Sequence, residues 1–157
     1  MTMTREAFYP SPLGCLRICY REDLVVSISY VTTYSGPGEP SPASDNAATQ
    51  ILEYFSGTRK TFDFPMECSG TDFQRKVWHA LVQIPYGQTR TYGQIAASIG
   101  QPTAARAVGM ACNKNPLWIV VPCHRVIGSN RNLTGYAGGI HMKQALLDLE
   151  QQYISRS

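Results

Sequence analysis

Apolar positions change their period about halfway along the chain. From Cys15 to Tyr20 and from Leu24 to Val31, β-branched and aromatic residues run together without helical spacing, and Arg21-Glu22-Asp23 between them is a polar turn. The pattern predicts a β-hairpin. Alternation puts Cys15, Arg17 and Cys19 on one face and Leu16, Ile18 and Tyr20 on the other. The stretch from Tyr34 to Ser44 holds Gly36-Pro37-Gly38-Glu39-Pro40-Ser41-Pro42, which admits neither a helix nor a central strand. Asp45 or Asn46 then caps a helix with Ile51, Tyr54 and Phe55 as its apolar stripe and Gly57 as its stop. Thr61-Phe62-Asp63-Phe64 alternates like a last short strand, and 65–70 reads as a linker.

Beyond residue 70 the helical period takes over. Thr71 or Asp72 caps a helix running to Val82 with Phe73, Val77, Trp78 and Leu81 on one side, and Ile84-Pro85-Tyr86-Gly87 breaks the chain. Two further helices, 91–100 and 104–113, flank the turn Gln101-Pro102-Thr103, which is the helix-turn-helix pattern. The second of them is small-sided: Ala104, Ala105, Ala107, Gly109 and Ala111 surround a single Arg106. Such a helix can press its backbone against another surface, although small residues also serve helix packing in a core. Leu117 to Val121 predicts a buried strand, and 129–139 a turn-rich loop with Tyr136 facing a pocket. A last helix runs from His141 to Gln152, with Met142, Ala145, Leu146 and Leu149 buried. The fold class is therefore α+β.

With 157 residues, 43% hydrophobic and 16% charged, the chain makes one compact unit or two small subdomains. No apolar run approaches the eighteen residues of a membrane span, and the first residues lack a signal-peptide core, so the expected location is cytoplasmic. Five cysteines, odd in number and irregularly spaced, argue against a disulfide framework. Cys15 and Cys19 have no histidine near them in the first seventy residues, so they read as structural rather than zinc ligands. Residues 1–70 carry five Lys/Arg against eight Asp/Glu, whereas 71–157 carry nine against three, which suits the second half to a polyanionic partner.

Chemistry concentrates in Val121-Pro122-Cys123-His124-Arg125-Val126. A thiol attacks only as thiolate, and its ordinary pKa leaves little of that form at neutral pH. His124 supplies a base and Arg125 a positive charge, while Pro122 biases Val121 towards an extended conformation. An inert buried cysteine is the competing reading. Glu150, near the end of the last helix, is placed unfavourably for the helix dipole, which a role in orienting His124 explains.

Pro122-Cys123-His124-Arg125-Val126, the upstream Asn115-Pro116, the downstream Gly135-Tyr136-Ala137-Gly138-Gly139 and the Ala-Ala-Arg-Ala-Val helix together resemble the O6-alkylguanine-DNA alkyltransferases. The likeness runs from about Thr71 to Glu150. It implies an N-terminal RNase H-like or ferredoxin-like scaffold over 1–66, with an antiparallel sheet and a helix. Residues 67–157 then form a helical, winged-helix-like DNA-binding and alkyl-transfer domain. It implies that Cys123 takes the alkyl group from guanine O6, that His124 deprotonates it through a water, that Glu150 orients His124 and that Asn115 holds the surrounding turns. Tyr92 then helps rotate the nucleotide out and Arg106 fills the gap it leaves. Thr91, Ala105 and Ser129 join the DNA contacts. The Cys123 and Val126 carbonyls and the Ala137 and Gly138 segment meet the base, which Tyr136 walls. The expected partner is duplex DNA carrying O6-alkylguanine, with O4-alkylthymine a second substrate, approached through the minor groove by a monomer with no cofactor and no metal. Trp118 and Cys112 are expected near the pocket mouth. A DNA-binding lesion recogniser without transfer, a cysteine hydrolase and an alkylation-sensing regulator are the alternatives.

Overall fold

Three antiparallel strands open the chain: β1 (Arg5–Ser11), β2 (Gly14–Arg21) and β3 (Leu24–Val31), in that spatial order. The computed structural model describes residues 3–130, 136 and 139–154. The hairpin of β2 and β3 is the one the sequence predicts. β1 is additional, and it hides from pattern reading because only Ala7 in it is buried. As an edge strand it tolerates Pro10, which could not serve a central ladder. β2, with a strand on either side, buries Cys15 and Cys19 as well as Leu16, Ile18 and Tyr20. Its two faces are both covered, so alternation there separates nothing.

α1 (Pro42–Phe55) starts earlier than Asp45. Ser41 is its N-cap and Pro42 its first residue, with Ser41 and Ser44 exchanging side-chain-to-backbone bonds. Proline at that position lacks an N–H that would have had no partner in any case. Ile51, Tyr54 and Phe55 are buried as predicted, and Gly57 follows at φ 81°. No strand forms over 61–64. The Gln50 side chain takes the Asp63 N–H at 3.0 Å, while Phe62 turns towards Tyr54 and packs against Phe64. Val25 instead pairs with the segment after it, through Pro65 and Glu67.

This sheet and helix belong to a compact unit that ends at Ser69 and also contains Pro116–Trp118. The returning segment bonds both backbone groups of Ile28, at 2.8 Å from the Ile28 N–H to Pro116 O and 3.1 Å from the Trp118 N–H to Ile28 O. Leu117 is buried there and Trp118 packs against Tyr30, ring centroids 6.0 Å apart. The strand expected over 117–121 is thereby cut to a bridge. Ile119 leaves it at φ 75°, a conformation β-branched residues adopt only where packing imposes it.

The second unit holds Gly70–Asn115 and the residues from Ile119 on. Its elements are α2 (Asp72–Val82), β4 (Arg90–Thr91), α3 (Tyr92–Ser98), α4 (Ala105–Asn113), a 3-10 turn (Cys123–Arg125), β5 (Val126–Ile127) and α5 (Ile140–Ile154). Thr71 and Thr91 cap α2 and α3 through reciprocal bonds with Gln74 and Gln94. Trp78 anchors α2 against α4, its indole N–H donating to Ala111 O at 2.9 Å. α3 and α4 make the predicted helix-turn-helix. Its accompanying sheet is a two-residue parallel pair of β4 and β5. The α5 stripe differs from expectation: Lys143, Leu146 and Glu150 are buried, whereas Met142, Ala145 and Leu149 are only partly so. Two of those three inward side chains are charged, which an apolar pattern cannot detect. Among the described residues, no helix is long and apolar enough to cross a membrane.

Gly38 provides a test of the first unit. It lies at φ 67°, and a Cβ there would stand 2.6 Å from the Glu6 carbonyl oxygen, where the Glu39 N–H bonds. Gly38→Ala should destabilise the protein by roughly 1–3 kcal/mol, read as a lower urea midpoint. An unchanged midpoint would show that the loop is not held by this approach.

Candidate active site

The 3-10 turn puts three consecutive buried side chains to three different uses. Pro122 begins it, the Cys123 N–H bonds Val121 O, and the Arg125 N–H bonds Pro122 O. Asn115, just after α4, clamps the turn: its side-chain amide donates to Val121 O at 2.8 Å and to the Cys123 thiol at 3.3 Å. Asn115 thus bonds the backbone at the turn and also touches the sulfur.

Cys123 is buried, and burial pushes its thiol up from the usual range. The Asn115 bond and the Lys143 ammonium oppose that, because both favour a thiolate. Arg125 does not provide the field at sulfur that adjacency suggests. Its guanidinium donates to Glu150 through Nε at 2.8 Å and Nη2 at 3.0 Å and to Ile84 O at 2.9 Å, above the Tyr86 ring. The cation near the thiol is Lys143, which the sequence reading missed. The available signal was its spacing from Glu150, seven residues and so the same side of a helix.

His124 is fully buried, and its Nε2 lies 2.6 Å from Glu150 Oε2. Burial lowers the imidazole below its usual value, partly offset by Glu150. Burial would raise the Glu150 carboxyl, but the bonds and charges of His124 and Arg125 outweigh it and hold it at about 2. An ionised carboxylate only accepts, so the neutral imidazole carries its proton on Nε2. That leaves Nδ1 as the basic atom, and it is buried with no partner among the described residues. Gly87, whose N–H donates to Glu150 Oε1 at 3.0 Å, completes the cradle. Burial pushes the thiol of Cys112 up to about 12, which makes it a poor nucleophile.

A cavity of about 560 Å³ gathers Thr91, Tyr92, Ala105, Arg106 and Ser129, five of the residues assigned from the resemblance to DNA contact. Gly93, Gly109, Met110 and Asn113 complete its lining, and none of these four was singled out for contact from the sequence. The Tyr92 ring lies against Gly109, where a Cβ would stand 3.7 Å from it, and Lys143 Nζ lies 5.7 Å from its centroid. Val126 is buried, paired with Arg90 in the short parallel ladder, and its N–H bonds Cys123 O. Tyr136 is buried. Ala137 and Gly138 lie outside the described residues, and Trp118 belongs to the first unit.

The model of the family described as "6-O-methylguanine DNA methyltransferase, DNA binding domain" matches residues 72–152. A methylated-DNA–protein-cysteine methyltransferase of Methanosarcina acetivorans is 45% identical over 150 residues, covering 92% of this chain and 96% of the relative. The crystal structure of the Mycobacterium tuberculosis O6-methylguanine methyltransferase superposes with a TM-score of 0.87 at 43% identity, covering 96% and 94% of the two chains. A Mycobacterium tuberculosis structure in complex with DNA gives 0.84 at 44% identity, covering 94% and 93%.

The buried carboxylate makes this site acid-sensitive. Glu150 is held at about 2 in the fold against about 4.5 unfolded, a contribution of about 3 kcal/mol at neutral pH. A depressed folded pKa gives stability that is present above the unfolded value and lost as pH falls towards the folded one. His124, held below 6.5, adds a loss that begins as pH falls past that value. The urea midpoint should therefore drop below pH 6.5 and again between 4.5 and 2. Glu150→Gln should flatten the lower step while costing about 3–5 kcal/mol at pH 7, because it leaves Arg125 buried without its carboxylate. An unaltered acid profile in that variant would remove Glu150 as the cause.

Proposed function

The chain belongs to the methylated-DNA–protein-cysteine methyltransferase family, and from that membership we propose that it repairs alkylated DNA by moving the alkyl group of O6-alkylguanine onto Cys123. The observation that carries this reading is the buried array in which Asn115 touches the thiol while Glu150 fixes the tautomer of His124. A lesion recogniser has no use for that arrangement.

The resting thiol is neutral, and the neutral imidazole offers Nδ1 as the proton acceptor, through a bridging water. As the proton leaves sulfur, imidazolium forms beside Glu150, whose charge stabilises it. Asn115 and Lys143 stabilise the thiolate. The sulfur attacks the alkyl carbon in line, the S–C bond forms, the C–O6 bond breaks, and its electron pair passes to the guanine, which leaves as an anion and takes a proton at ring N1, the net gain of the proton lost from sulfur. The product is a thioether, a poor leaving group, so each molecule acts once.

Within duplex DNA the O6 atom is out of reach of a buried thiol, so the nucleotide is rotated out of the stack. Tyr92 crowds the target phosphate and Arg106 fills the gap. The small side chains of α4 let its backbone approach the minor groove. Phosphate contacts from this basic unit make binding salt-dependent and largely indifferent to sequence. O4-alkylthymine presents a similar exocyclic ether and is a second substrate. The unit that ends at Ser69 serves as scaffold and the other as the transfer domain.

Mixing the protein with a duplex bearing one O6-methylguanine should add about 14 Da, on Cys123 alone and at one per molecule, and Cys123→Ser should abolish the gain. Binding without any mass gain would move the protein to the lesion recognisers. Arg106→Ala should slow transfer from duplex far more than transfer from the free base. Equal losses would remove its gap-filling role.

A further inference from the structure

α4 turns three long side chains, Arg106, Met110 and Asn113, into the same cavity at spacings of four and three residues. The rest of its contribution there is Ala105 and Gly109, which stand no higher than the backbone. Met110 is the anomaly. It is 65% exposed, a large apolar side chain in water at the centre of a face otherwise made of polar or minimal residues. It stands about 6 Å along the helix axis from Arg106, which is under two base steps of a duplex.

Proteins that enter the minor groove combine basic and amide side chains with apolar wedges that part neighbouring base steps, and methionine is one of the residues so used. Its unbranched thioether chain is long, flexible and polarisable, and it adapts to an irregular gap. Small neighbours on α4 let the helix come close, and Met110 is then the apolar group that projects furthest from it. We propose that Met110 is a second inserting side chain, an apolar wedge that occupies the base step beside the extruded nucleotide while Arg106 takes the vacated position. Two separate plugs at neighbouring steps hold the duplex open on both sides of the target. The inference rests on the reading that duplex DNA meets α4.

Oxidation by dilute peroxide, read by peptide mass, tests it on the unaltered protein. Met3, 76% exposed in the other unit, is the internal reference. Free in solution both methionines should oxidise. On duplex carrying O6-methylguanine, Met110 should oxidise about five-fold more slowly and Met3 at its former rate, as expected for a side chain taken out of solvent by the groove. In parallel, Met110→Ala and Met110→Leu are compared on a duplex with 2-aminopurine beside the lesion and on free O6-methylguanine. The alanine variant should lower the ratio of duplex to free-base transfer about ten-fold and lose the 2-aminopurine signal, and leucine should restore both. Undiminished oxidation of Met110 in the complex, or an alanine variant with the wild-type ratio and signal, overturns the wedge while transfer by the wild type still stands. If the wild type binds the duplex nowhere near α4 or takes no methyl group, the underlying reading falls and this one with it.

Discussion

Glu150 keeps its charge at 1% exposure because His124, Arg125 and the Gly87 N–H all converge on its two oxygens. Removing a carboxylate from water costs several kcal/mol even after relaxation, so a buried anion persists only with good geometry on every side. Those partners come from distant parts of the second unit, the 3-10 turn and the loop after α2, and meet a carboxylate carried by α5. Meeting the needs of one anion therefore fixes where these elements lie. Arg125, which looks like help for the neighbouring thiol, is spent on this task. Without it the carboxylate would lose two of the donors that, with His124, hold it ionised against its burial.

Reactivity and burial pull against each other at Cys123. A dry thiol resists ionisation, yet a dry site strengthens every charge interaction within it. The arrangement separates the two jobs. Asn115 and Lys143 face the sulfur, while Glu150 and Arg125 stand behind the imidazole. Lys143 also places its ammonium over the Tyr92 ring, so one buried cation is shared between the nucleophile and the wall of the α4 cavity. The lysine is deep in the protein at the cost of its own hydration: burial lowers its pKa, and the neighbouring thiols of Cys123 and Cys112 oppose that shift.

Local chemistry was readable from the sequence wherever one residue decides a short stretch. Thr71 and Thr91 mark the starts of α2 and α3, Gly57 the end of α1, and the small residues around Arg106 the character of α4. The Cys-His-Arg run and Glu150 also stood out. What escaped depended on partners far along the chain. β1 lacks alternation because its place is at a sheet edge. The Phe62 segment forgoes a strand because Gln50 occupies its backbone. Leu117 ends as a bridge because Ile28 lies beside it, and Lys143 reads as a surface lysine until α5 is seen to bury it. The role of Arg125 was misjudged for the same reason: adjacency in sequence suggested the thiol, and the fold brought the carboxylate.

The Pro116–Trp118 bridge has a consequence for inheritance. Those three residues lie between Asn115 and the reactive turn, yet their hydrogen bonds and their buried leucine belong to the sheet made by the start of the chain. A gene segment beginning at Gly70 would encode every side chain of the chemistry and still leave Leu117 without a place to go. The cut between units is clean in the linear order at Ser69 and broken at Pro116. Recombination can therefore exchange the scaffold only for another that offers an open strand edge at the position of Ile28, and this ties the two halves into one heritable module.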